Sequence, residues 1–135
     1  MGNRKAHDRG MKTRRKVLGD EWVDRAIASK TPFNEDFQEL ITRYAWNEIW
    51  NRTGLTHKER RLIVIGTMIA LGKWDEFRLH VRAALESHDL SIDDVKEILL
   101  QQAIYCGVPA ANTAFREARD VIGEIAGAGR RKTPR

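Results

Sequence analysis

The sequence predicts an all-α protein folded as a single helical domain. Three features point there. Apolar residues recur at three- and four-residue spacing along most of the chain, no stretch follows the two-residue period of a strand, and capping residues, glycines and prolines punctuate the apolar runs. The chain has 135 residues, enough to bury a core without disulfide or metal staples.

Taken in order, Pro32 holds the chain extended ahead of Asn34, the expected cap of the helix DFQELITRYAWNEIW. Phe37, Leu40, Ile41 and Tyr44 share one face of it, and Arg43, Trp46 and Trp50 lie opposite, so the helix is expected to be central or at an interface. Gly54 breaks it. Thr56 and Glu59 form a Thr-x-x-Glu capping box before RRLIVIGTMIALG. That run is apolar on nearly every side, is expected to lie buried in the centre of the molecule or assembly, and stops at Gly72.

In DEFRLHVRAALESH, Phe77, Val81 and Ala84 share a face, His80 lies on its edge, and Arg78 and Arg82 point elsewhere. Ser91 caps SIDDVKEILLQQAIYC, with Asp93 and Asp94 placed to complement the helix dipole. Val95, Ile98, Leu99 and Cys106 line one side of this helix, and Leu100 and Ile104 the other. Gly107 ends it, and Pro109 is expected as the first residue of the last helix, whose packing residues are Phe115, Val121, Ile122 and Ile125. Helices with two apolar faces, together with four tryptophans, imply more buried surface than one small bundle supplies. A homo-oligomer is the expected assembly.

The formal net charge of +5 is unevenly spread: residues 1–16 carry seven Lys/Arg and one Asp (+6), residues 130–135 carry four Lys/Arg (+4), and 17–129 carry 13 basic and 18 acidic residues (−5). The expected organisation is a basic N-terminal arm (1–16), a helical domain (17–126) and a basic C-terminal tail (127–135). Solvated tails are the ordinary outcome of such runs, with nonspecific nucleic-acid binding the alternative. The acidic middle offers no basic recognition helix, so specific nucleic-acid binding is not expected. A single cysteine excludes an internal disulfide, CxxC chemistry and Cys-based zinc sites, and suits a reducing cytoplasm. The chain has no run of about 18 apolar residues and no apolar core at its start, so neither a membrane span nor a secretory signal is expected.

Candidate functional residues fall in three groups. His80 is an acid or base suited to neutral pH, or else a core histidine satisfied by a carbonyl. His7, His57 and His88 read as surface residues, and no metal-ligand spacing is present. The turn YCGVPAANT places Tyr105 and the amides of Ala110 and Ala111 where a carboxylate could be bound, or where a tight helix–helix turn sees water. Arg43, beside Trp46 and Trp50, and Arg61, in line with Ile65 and Met68, could each receive a carboxylate through paired hydrogen bonds. Each could equally pair with an internal acid such as Glu39 or Glu48.

Three stretches, TPFNEDFQELITRYAWNEIWNRTGL (31–55), LGKWDEFRLHVRAAL (71–85) and DDVKEILLQQAIYCGVPAANTAF (93–115), resemble the carboxymuconolactone decarboxylase family, and GMKTRRKVLGDEWVDRA looks like its opening. The likeness covers about residues 8–125. It implies an all-helical fold of the alkylhydroperoxidase D-like type in a ring of subunits, a hexamer favoured. It also implies cofactor-independent decarboxylation of 4-carboxymuconolactone, a small anionic lactone, to the enol-lactone of β-ketoadipate in the protocatechuate branch of aromatic degradation. The family's Leu-His pair matches His80, which becomes the expected proton-transfer residue. Tyr105, Arg43, Arg61, Trp46, Trp50, Ala110 and Ala111 are expected to hold the substrate.

Two departures bear on chemistry. Peroxidase-type relatives carry a CxxC in register with Lys73 and Glu76, and both cysteines are absent here. Many relatives place a glutamate where this chain has Arg61, which suits an anionic substrate better than a Glu-assisted relay. Cys106 is therefore read as a small packing residue close to the pocket. The alternatives are a same-fold enzyme on another lactone and a single-thiol peroxidase.

Overall fold

The structure, a computed structural model, describes residues 2–132, with side-chain surroundings through residue 129. The described residues are helical with short turns and contain no strand. The contacts divide the chain into two units, Met1–Arg60 and Arg61–Arg135.

The first unit contains α1 (Asn3–Leu18), α2 (Asp20–Ala28) and α3 (Glu35–Ile41), and α3 runs on without a break into a π-helical turn, Thr42–Ile49. The wide turn closes with the Trp50 amide reaching back five residues to the Ala45 carbonyl at 3.0 Å. Segments of this kind are rare and recur at functional sites. The helix α1 packs on it through Gly10: a methyl group there would meet the Thr42 carbonyl oxygen at 2.0 Å. The Thr42 hydroxyl donates to the Gln38 carbonyl at 2.7 Å, and the Thr13 hydroxyl donates to Asn51 Oδ1 at 2.7 Å, tying α1 to the chain beyond the π turn.

This corrects the reading of residues 1–16 as a solvated arm. Thr13, Arg14, Val17 and Leu18 are buried, so α1 has a packed side and a wet, cationic side. Arg14 survives burial because its guanidinium donates to Gln38 Oε1 at 3.0 Å and lies 5.6 Å from the centre of the Trp22 ring. Asn34 stands at the start of α3 as expected, but its side chain accepts from the Thr31 amide at 2.8 Å instead of capping the helix. Phe37, Leu40 and Tyr44 are exposed.

α4 (His57–Leu71) opens with the expected capping box, the Thr56 amide donating to Glu59 at 2.8 Å and the Glu59 amide to the Thr56 hydroxyl at 3.1 Å. In the second unit α5 (Trp74–Glu86), α6 (Ile92–Tyr105) and α7 (Val108–Lys132) follow. Ile65, Ile69, Phe77, Val81, Leu90, Val95, Leu99 and Val121 make the core, and Ala114 and Ala118 let α7 approach its neighbours closely. Ser91 and Asp94 form a reciprocal capping box on α6. Arg78 pairs with Glu117 and Glu124 at 2.9 and 2.6 Å, and Arg82 also pairs with Glu124, so both fasten α5 to α7.

Three expectations shift in the single chain. α4 buries Arg61, Ile65 and Ile69 but exposes Ile63 and Leu71, so it is not covered all round. The Leu100–Ile104 side of α6 faces outward, and Phe115 is exposed while the small residues of α7 do the packing. The expected tail boundary at 127 falls inside α7, and residues 133–135 lie outside the described residues.

Gly10→Ala is expected to lower unfolding stability by about 3 kcal/mol, because the obstacle is backbone and cannot rotate away. Chemical denaturation measures this, with Gly2→Ala, which meets nothing within 4 Å, as the neutral control.

Candidate functional site

Residues 77, 80, 81 and 84 follow the spacing of one helix face. Phe77, Val81 and Ala84 are fully buried, and His80 beside them is 9 % exposed. Its Nδ1 has no hydrogen-bond partner among the described residues, so no carbonyl satisfies that nitrogen. Burial, and secondly the positive charge of Arg61, lower its pKa from 6.5 to about 4. At neutral pH the ring is therefore neutral, with one N–H donor and one bare nitrogen.

Arg61 is 1 % exposed, and its Nε donates to Asp89 Oδ2 at 2.9 Å. The expected capacity to receive a substrate carboxylate is thus partly used by an internal one. Asp89 was not among the sequence candidates. A signal existed: an acid just beyond the C-terminal end of α5 sits where the helix dipole disfavours it, so a nearby cation is needed. The turn that delivers it passes through His88, whose φ is +63°.

Gln102 is a second residue the sequence left without a role. Its Nε2 donates to the Gly66 carbonyl at 3.3 Å and lies 3.4 Å from Cys106 Sγ. Cys106 is half-buried and packs against the core, as does Ala110. These contacts account for the lone thiol as a packing residue.

The turn itself differs from expectation. Gly107 has φ +95°, and α7 begins at Val108, one residue before Pro109. The Ala111 amide donates to the Gly107 carbonyl at 3.1 Å, so it is already spent and cannot hold a carboxylate. The amides of Val108 and Ala110 stay outside the helical ladder. Tyr105, at the end of α6, is 79 % exposed.

The other three candidates belong to the first unit. Trp46 and Trp50 stack with centroids 5.3 Å apart, and His57 meets Trp50 edge-on at 5.8 Å. Trp50 is buried. Arg43 pairs with Glu39 at 3.1 Å and lines a groove of about 590 Å³ with Arg9, Tyr44, Asn47 and Arg52. Neither tryptophan lines that groove. No helix among the described residues is long and apolar enough to cross a membrane.

A sequence model described as the carboxymuconolactone decarboxylase family matches residues 35–120. The chain is 37% identical over 125 residues to a 4-carboxymuconolactone decarboxylase of Acinetobacter baylyi, covering 93% of this chain and 92% of that protein. It is 36% identical over 132 residues to the nitrosuccinic acid decarboxylase npaB of Metarhizium robertsii, covering 98% and 92%. Over 45 residues it is 49% identical to a 4-carboxymuconolactone decarboxylase of Pseudomonas putida, covering 33% of this chain and 94% of that protein.

The depressed pKa of His80 makes stability pH-dependent. Between pH 6.5 and about 4 the unfolded chain binds a proton there that the folded chain does not, so this residue's contribution falls as the medium is acidified through that window. His80→Gln is expected to flatten that part of the stability–pH curve by up to about 3 kcal/mol. Denaturation midpoints from pH 4 to 7.5 in both proteins check it.

Proposed function

The chain belongs to the carboxymuconolactone decarboxylase family, and we propose that it is a decarboxylase that converts 4-carboxymuconolactone to the enol-lactone of β-ketoadipate and carbon dioxide without a cofactor. The observation that carries this reading is a buried, neutral histidine under the influence of a buried arginine, in a chain alike over nearly its whole length to a protein of that name.

The substrate needs no external electron sink. The departing carboxylate sits on a ring carbon conjugated through a C=C bond to the lactone carbonyl. As the C–C bond breaks, its electron pair forms a new ring double bond, the old double bond shifts towards the carbonyl, and the charge comes to rest on the lactone oxygen as a dienolate. A proton added to the carbon next to the carbonyl completes the product. The protein has to hold an anion, stabilise the oxyanion and supply that proton.

In this reading His80 supplies the proton. A bound carboxylate brings negative charge that opposes the influence of burial and of Arg61, so the substrate itself raises the pKa of the ring and draws a proton onto it. The proton then passes to the ring carbon once carbon dioxide has left. Arg61, steadied by Asp89, stabilises the developing charge, an effect that commonly contributes about 10²–10³ in rate per donor. Tyr105 and the Ala110 amide are the further donors to the substrate.

We also assign the working form to a homo-oligomeric ring, a hexamer, in the cytoplasm, as part of protocatechuate breakdown. The outward-facing Leu100, Ile104, Tyr105 and Val108 support contact with another copy. A second reading is favoured by the relative named for nitrosuccinic acid. In it the same histidine protonates the carbanion left by decarboxylation of a different small diacid or nitro acid.

The test is carbon dioxide release from freshly prepared 4-carboxymuconolactone. Wild type is expected to release it rapidly, His80→Gln to be slower by about 10²–10⁴, and Cys106→Ala to keep most of its activity. Release by wild type and His80→Gln alike removes the histidine from the mechanism. A folded wild type that does not release it, but does release it from nitrosuccinate, establishes the second reading.

A further inference from the structure

We propose that the groove between α1 and the π-helical turn of the first unit is a binding site for a small multivalent oxyanion, a polycarboxylate or a pyrophosphate-like group. The inference stands apart from the decarboxylase reading and uses none of its residues in the second unit.

Two adjoining cavities, of about 590 and 350 Å³, share Arg9 and Asn51 along the wet side of α1. The first has the size of a small-ligand site. Arg43 and Arg52 join Arg9 in the larger lobe, and Lys12 and Lys16 join it in the smaller. Among the described residues, Glu48 is the one carboxylate lining either lobe.

Part of this charge is not balanced internally. Arg15, Arg25, Arg43, Arg78 and Arg82 each pair with an acid. The side chains of Arg9, Lys12 and Arg52 have no carboxylate partner among the described residues. Cations held in one concave surface repel one another, and a bound oxyanion relieves the repulsion while accepting forked hydrogen bonds from the guanidinium groups.

The floor and wall are fixed. Asn51 Oδ1 accepts from the Thr13 hydroxyl at 2.7 Å, which leaves the amide nitrogen of Asn51 as a donor. Arg43, Tyr44, Asn47 and Glu48 come from the π-helical turn, whose backbone is held against α1 at the Gly10–Thr42 approach. A π turn is costly to keep, and here its residues are the ones that line the groove. Two cationic lobes joined at Arg9 suit a ligand with anionic groups at both ends.

The test is calorimetric titration of the full chain with citrate and with pyrophosphate at low ionic strength, alongside a short DNA duplex. Wild type is expected to bind at least one of the two small anions with Kd below about 1 mM. Arg9→Gln and Arg52→Gln are each expected to weaken binding by about tenfold or more with the melting temperature unchanged. Arg25→Gln, which removes an exposed cation of α2, is expected to bind as wild type does. The tighter of the two anions identifies carboxylate or phosphate as the ligand chemistry. Absence of binding, or equal binding by wild type and the Arg9 and Arg52 variants, overturns the proposal. Duplex binding tighter than either small anion and lost in the same variants overturns it too, in favour of a nucleic-acid surface.

Discussion

The interior of the second unit depends on one ion pair, whose cation is buried and whose acid is half-buried. Arg61 enters the interior almost fully stripped of water, and Asp89 holds it there at 2.9 Å. A buried cation without such a partner is strongly destabilising. With the partner in place it becomes a fixed positive charge, and His80 titrates under its influence. Burial and that charge act in the same direction and keep the imidazole neutral at pH 7. In the proposed reaction, the same two effects that cost stability in acid prepare the residue for an anionic substrate.

The first unit rests on a different constraint, the contact of Gly10 with the backbone of Thr42. No larger residue fits there, so α1 lies directly on the π-helical turn. That contact converts a strongly basic opening into a packed helix that buries Thr13, Arg14, Val17 and Leu18 while its other lysines and arginines stay on the opposite side. It also sets the width of the groove in which Arg9, Arg43 and Arg52 gather.

Much of the fold was legible in local pattern. The Thr56–Glu59 and Ser91 capping signals, the Phe77–His80–Val81–Ala84 face and the stops at Gly72 and Gly107 follow from spacing and backbone chemistry alone, and each is present. What escaped was set by tertiary contact. Charge counting cannot distinguish a basic tail from a basic amphipathic helix, since the difference lies in whether Thr13, Arg14 and Val17 find something to pack against. The π turn after Thr42 departs from the α-helical period on which the shared face of Arg43, Trp46 and Trp50 was read, and the groove lined by Arg43 includes neither tryptophan. Asp89 meets Arg61 across 28 residues, a pairing no local period reveals. Ala111 was misassigned because α7 starts one residue earlier than a proline-first reading allows. The family relationship, in contrast, was readable from the Leu-His pair and the turn after Cys106, because those segments are contiguous.

The most direct test of this account is the charge of His80 itself, followed by NMR with the histidine rings labelled and the signal assigned through His80→Gln. The account predicts a ring that is neutral at pH 7, titrates near pH 4 in the free protein, and moves towards neutrality of pH when a substrate-like dicarboxylate is added. A ring that titrates at or above about 6.5 in the free protein, or whose titration ignores the dicarboxylate, contradicts it.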